Sequence, residues 1–279
     1  MTVDAHFHCW RLDRGDYGWL TPALAPIYRD VTVADWQREA QPHGVRGGIL
    51  VQAAPTEAET RFLLEQARRH DAVLGVVGWL DLLAADAPQR IAGLAAAEPA
   101  LRGLRPMLHD IADADWVLQP ALAPALDAMA EHRLVFDALV RPQHLPRVRG
   151  LAQRHPRLCI VVDHGAKPEI GAGRWQPWAD EIAALAALPN VACKLSGLLT
   201  EAGATPARGA AQAWAEHLLH AFGNQRLLWG SDWPVLELAA RYADWWHDTQ
   251  TVLARLAHAD RRAVLGDNAC RVYGVAPPD

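Results

Sequence analysis

Two histidines, His6 and His8, stand one residue apart in the apolar opening run TVDAHFHCW (residues 2–10). Side chains two apart on a strand share a face, so both imidazoles point to the same side. Neutral ring nitrogens at that spacing can converge on one divalent cation, zinc or a similar ion. The plainer alternative is a pair of polar groups satisfied by loop backbone, and the histidine pair alone does not decide. Two more groups of the same chemistry lie far along the chain. His164 ends LCIVVDH (158–164) and Asp232 follows RLLWGS (226–231). A site made of His6, His8, His164 and Asp232 requires a fold that brings remote strand ends together.

Such a fold is legible in the alternation of elements. Short β-rich runs occur at VDAHFH (3–8), GGILVQ (47–52), VLGVVGWL (73–80), GLRPML (103–108), LVFDALV (134–140), LCIVVDH (158–164), VACKLS (191–196) and RLLWGS (226–231). They are continuous rather than alternating, as expected for parallel strands buried on both faces. Helical patterns separate them. A helix over 56–70 opens with Thr56 and Glu59 at capping-box spacing. Others are predicted over 33–41, 86–98 with Asp86 as N-cap, 120–132, 145–155, 205–222 with Pro206 at its first position, 242–256 and 261–273. Eight strands alternating with helices predict a single (β/α)₈ TIM barrel spanning residues 1–279, an α/β fold with its active site at the C-terminal ends of the strands.

The bulk properties exclude several function classes. The net charge is −5 with no basic stripe, so nucleic acid is not an expected partner. No run of about 18 apolar residues suggests a membrane span, and no export signal precedes the first strand. The four cysteines, Cys9, Cys159, Cys193 and Cys270, form no close pair and read as reduced thiols of a cytoplasmic protein. A homo-oligomer is neither indicated nor excluded.

Nearly every predicted strand delivers a polar group to the same end. Strand two ends in Gln52, strand three in Trp79 and Asp81, and strand four carries Arg105 and runs toward His109. Strand five carries Asp137 and is followed by Arg141 and His144, while strand seven holds Lys194 and Ser196. Trp233 follows Asp232. A hydrocarbon core needs none of these, and their convergence is the main argument for an enzyme.

The constellation resembles the amidohydrolase superfamily. The HFH motif, DHGAKP (163–168), GSDWP (230–234) and DNACRVYG (267–274) fall in the superfamily's order, the last resembling its amidohydrolase 2 branch. KLSGL (194–198) is similar to the sugar-lactone hydrolases of that branch, the L-fuconolactonase and L-rhamnonolactonase type. One departure stands out. Relatives with a full metal centre carry a histidine on strand five, where this chain has Asp137. The resemblance therefore implies one cation on His6, His8, His164 and Asp232, or a metal-free site.

It also implies a reaction, the opening of a small neutral sugar lactone by water. Asp232 is the expected general base. The oxyanion needs a facing cation, supplied by a metal, His164, Lys194 or Arg105. Gln52, His109, Asp137, Arg141, His144 and Ser196 could read the hydroxyls, and Trp79 and Trp233 could stack on the ring. The alternatives are a metal-dependent decarboxylase or anionic-lactone hydrolase, and a ligand-binding barrel without activity.

Overall fold

The computed structural model of the chain describes residues 2–278. Eight parallel strands run β1 (Thr2–Phe7), β2 (Val45–Val51), β3 (Val73–Gly78), β4 (Leu101–Leu104), β5 (Val135–Ala138), β6 (Ile160–Val162), β7 (Val191–Leu195) and β8 (Leu227–Trp229), each bonded to its sequence neighbours. Helices α1 (Val33–Ala40), α2 (Glu57–Arg69), α3 (Ala87–Ala97), α4 (Ala123–Glu131), α5 (Leu145–Arg154) and α6 (Trp178–Ala186) follow the first six strands in turn. After β7 come a short α7 (Leu198–Glu201) and α8 (Gln212–Phe222). After β8 come α9 (Tyr242–Leu253), α10 (His258–Arg262) and α11 (Asn268–Tyr273). The chain folds as the TIM barrel expected.

The seam between β8 and β1 is what positions the chemistry. The two strands join through Asp232 N–H to His6 C=O at 2.8 Å and His8 N–H to Trp233 C=O at 2.8 Å. Beneath that seam, Asp4 faces outward and is fully buried. Its carboxylate accepts from Ser231 N–H (2.8 Å), Ser231 Oγ (2.6 Å), Trp36 Nε1 (3.0 Å) and Tyr242 Oη (3.2 Å). An unpaired buried carboxylate would be costly; here the donors come from β8, α1 and α9, so Asp4 locks the barrel shut.

The barrel's lower interior is apolar, filled by Val3, Ala5, Ile49, Val77 and Val161, with Ala269 and Tyr273 of α11 packed against them. Three sequence expectations are corrected here. The predicted helix 205–222 begins only at Gln212, so Pro206 starts no helix. Asp86 makes no side-chain cap. Thr56 caps α2 through Glu59 N–H, but the Glu59 carboxylate does not complete the box. It turns back to Ala53 N–H (3.0 Å) and Ala54 N–H on the β2–α2 loop.

Candidate active site

A β-bulge between Asp4 and Phe7 in the β1–β2 pairing lets Ala5 and His6 both face the barrel interior. His6, His8, His164 and Asp232 then meet at the mouth. Nε2 of His6 and His8 lie 3.2 Å apart. Asp232 Oδ1 lies 3.3 Å from His8 Nε2, 3.6 Å from His6 Nε2 and 3.7 Å from His164 Nε2. All four side chains are nearly inaccessible. Asp232 and His164 hold φ of 58° and 54°, conformations that side-chain-bearing residues adopt at a cost of about 1–2 kcal/mol. Two glycines make the crowding feasible. A Cβ on Gly197 would meet His164 Nδ1 at 2.6 Å, and one on Gly230 would meet His6 Cβ at 3.0 Å.

Each imidazole is oriented from behind. His8 Nδ1 donates to Val51 C=O at 2.7 Å, which turns its Nε2 toward Asp232. His164 Nδ1 lies 2.8 Å from Ser196 Oγ. His6 Nδ1 lies 3.0 Å from Lys194 Nζ. Burial pushes the His164 imidazole down to about 4, so it is neutral at pH 7. Burial depresses His6 too, and the Lys194 charge adds to that effect. Burial alone would raise the Asp232 carboxyl, but His164, His8 and His6 around it hold it well below the usual carboxylate range. The mouth therefore presents an ionised carboxylate beside His6 and His164, which burial keeps neutral.

The donor set fits a cation. Four ligands at about 2.0–2.1 Å in a tetrahedron sit roughly 3.3 Å from one another, close to the spacings among His6 Nε2, His8 Nε2 and Asp232 Oδ1. These three form a ligand-competent group, and His6, Asp163 and His164 form a second. Arg105 Nη1 stands 3.4 Å from His6 Nε2, and this guanidinium opposes a second cation beside the first.

Beneath the histidines lies a buried ionic layer. Lys194 Nζ contacts Asp137 Oδ2 at 2.5 Å and Asp163 Oδ1 at 2.9 Å, with all three side chains fully buried. Tyr273 Oη donates to Asp137 from below, at 2.9 Å to Oδ1. Burial raises the Asp137 carboxyl to about 6 even against Lys194. Arg105 adds a bond to Asp163 Oδ2 at 3.1 Å.

A cavity of about 200 Å³ opens above this assembly. His8, His164 and Asp232 form its floor, with Arg105, His109, Asp110 and Lys167 contributing further polar groups. Its apolar walls are Trp19, Ala53, Met107, Leu139 and Val235. Trp19 is pinned by its Nε1–H to Ala53 C=O at 2.7 Å.

The structure corrects the placement of several predicted residues. Lys194 and Asp137 sit in the ionic layer and do not line the cavity, because Lys194 is consumed by two carboxylates. Ser196 braces His164. Gln52 is buried behind Arg105, donating to its C=O at 2.7 Å. Trp79 turns aside, its backbone N–H bonded to Thr60 Oγ1 at 2.7 Å. Arg141 is exposed, and His144 accepts its backbone N–H at 3.1 Å next to a separate small cavity. Trp233 packs away from the mouth, with Nε1–H on Glu237 at 2.8 Å. Sequence reasoning missed Asp4, Trp19, Met107, Leu139, Lys167 and Val235. Only Asp4 carried a signal, a carboxylate inside an otherwise apolar strand.

Comparison with known proteins agrees with this geometry. A family model described as amidohydrolase matches residues 3–275. An L-fucono-1,5-lactonase of Burkholderia ambifaria is 46% identical over 280 residues, covering 99% of this chain and 96% of the relative. An L-fucono-1,5-lactonase of Burkholderia multivorans is 34% identical over 300 residues, covering 100% of this chain and 97% of the relative. A crystal structure of a zinc-bound amidohydrolase from Burkholderia multivorans superposes with a TM-score of 0.91 at 34% identity, covering 99% of this chain and all of that one.

Proposed function

This chain belongs to the amidohydrolase family, and we propose that it is a lactonase that opens a small neutral aldonolactone, of the L-fucono-1,5-lactone type, to the aldonic acid. The observation that carries the reading is Asp232, its carboxyl held low among His6, His8 and His164 at the floor of a cavity sized for one sugar ring. The relatives that are L-fucono-1,5-lactonases along their whole length support it.

A lactone carbonyl seated over this floor is attacked by a water whose proton passes to Asp232. Charge develops on the carbonyl oxygen as the tetrahedral intermediate forms. Arg105 lines the cavity, and its guanidinium brings positive charge to the developing oxyanion. The intermediate collapses with cleavage of the bond from the acyl carbon to the ring oxygen. The proton on Asp232 goes to the departing alkoxide, which restores the carboxylate. His8 and neutral His164 hold the water and the carboxylate in register. Lys194 acts at one remove, as a positioning residue that fixes His6.

His6, His8 and Asp232 would hold a single divalent cation, with His164 beside them. When bound, such an ion supplies Lewis-acid polarisation of the carbonyl. The four cysteines are free, which suits a reducing cytoplasm. No helix among the described residues is long and apolar enough to cross a membrane. The anionic-substrate alternative is disfavoured, since Arg105 is already committed to Asp163. A pH-indicator assay over a panel of aldonolactones, with and without chelator, tests the proposal. Rapid acid release from 6-deoxy-hexonolactones is expected, and a panel with no hydrolysis overturns the reading.

A further inference from the structure

Residues His164, Gly165, Ala166 and Lys167 form one left-handed turn, with φ of 54°, 56°, 64° and 49°. Three of the four carry a Cβ, so the turn is held at a cost. It is pinned by Lys167 N–H to His164 C=O at 2.9 Å and by Trp178 Nε1–H to Gly165 C=O at 2.7 Å. If only the bend mattered, glycine or asparagine would serve better at the fourth position. A lysine stands there instead, and its side chain lines the same cavity as His164. Its Nζ lies 2.6 Å from Oε1 of Glu201 at the end of α7, with both side chains about four-fifths buried. Glu201 itself is not part of the cavity wall. The other cation lining the cavity, Arg105, is likewise matched by Asp163.

Resting on the lactonase reading above, we propose that the Lys167–Glu201 ion pair sets the charge selectivity of the site. Lys167 keeps two N–H donors free of Glu201 and gives them to ring hydroxyls of the substrate. Glu201 cancels the ammonium charge, so a lactone bearing a carboxylate finds no unmatched cation and meets the Asp232 charge instead. Selectivity for neutral lactones thus comes from a carboxylate behind the wall acting together with the Asp110 and Asp232 carboxylates of the wall itself.

The test compares kcat/KM for L-fucono-1,5-lactone and for the anionic D-glucaro-1,4-lactone in wild type, Glu201→Gln and Lys167→Met. Thermal melts confirm that each variant is folded. In Glu201→Gln the anionic-to-neutral ratio should rise about tenfold or more, with the gain shrinking as salt is added. In Lys167→Met the neutral lactone should lose about tenfold, chiefly through KM, with no gain on the anionic one. A folded Glu201→Gln with an unchanged ratio overturns the proposal, as does a Lys167→Met that handles the neutral lactone like wild type. If Glu201→Gln does not fold, the Lys167→Met arm still decides. A wild type inactive on every aldonolactone overturns the lactonase reading and this inference with it.

Discussion

Asp232 Oδ1 lies 3.3 Å from His8 Nε2, a contact between opposite ends of the chain made by closing the last strand onto the first. The imidazole is aimed at the carboxylate because its other nitrogen is tied to Val51 C=O. The same junction is locked from below by Asp4, which gathers donors from β8, α1 and α9. Barrel closure and assembly of the site are therefore one event.

The histidine cluster should bind zinc. Titrating zinc into the metal-free protein is expected to raise the melting temperature as the ion binds the native state. His8→Ala removes one of the converging nitrogens and should abolish most of that shift without unfolding the protein. An equal shift in the variant would place any bound ion elsewhere.

The ionic layer should be a stability element. Lys194 is fully buried between Asp137 and Asp163. Removing one partner leaves an unmatched buried charge, which costs about 3–5 kcal/mol. Urea denaturation of Asp137→Ala and Lys194→Met should show losses of that size. A loss under about 1 kcal/mol would mean that the layer is not a closed charge balance.

Glu59 should give the fold a pH-dependent stability. Burial pushes its carboxyl up to about 7, against the lowering effect of the Ala54 and Ala53 N–H bonds. A carboxyl raised in the folded state binds more protons there than in the unfolded chain between about pH 4.5 and 7. Its contribution to stability therefore falls as pH rises through that window. Glu59→Gln removes the titration, so wild type should lose roughly 3 kcal/mol relative to the variant between pH 4.5 and 8. Parallel stability curves for the two proteins would contradict this.

The architecture was legible because each element announced itself locally. Continuous apolar runs such as LCIVVDH contain the buried strand β6, and the amphipathic stripe of LPRVRGLAQRH is α5. The strand-end rule then predicted that His6, His8, His164 and Asp232 meet at one mouth of the barrel, where their side chains lie together. It failed where side-chain direction depends on contacts between distant segments. The sequence favours Lys194 as a site-lining cation over a core lysine paired with Asp137 or Asp163, yet its ammonium contacts both carboxylates. Trp233 follows Asp232 in sequence, yet its ring turns away to Glu237. Trp19 and Lys167 reach the cavity from loops whose conformation no periodicity encodes. Lys167 depends on a left-handed turn in which only Gly165 lacks a side chain.

On the lactonase reading, the Asp232 carboxylate takes the proton from the attacking water. The most direct measurement is kcat for L-fucono-1,5-lactone in wild type and Asp232→Asn, with folding verified by thermal melt. A drop of about 10²–10⁴ is expected, with the circular-dichroism spectrum unchanged. A folded Asp232→Asn that hydrolyses the lactone at the wild-type rate would contradict it.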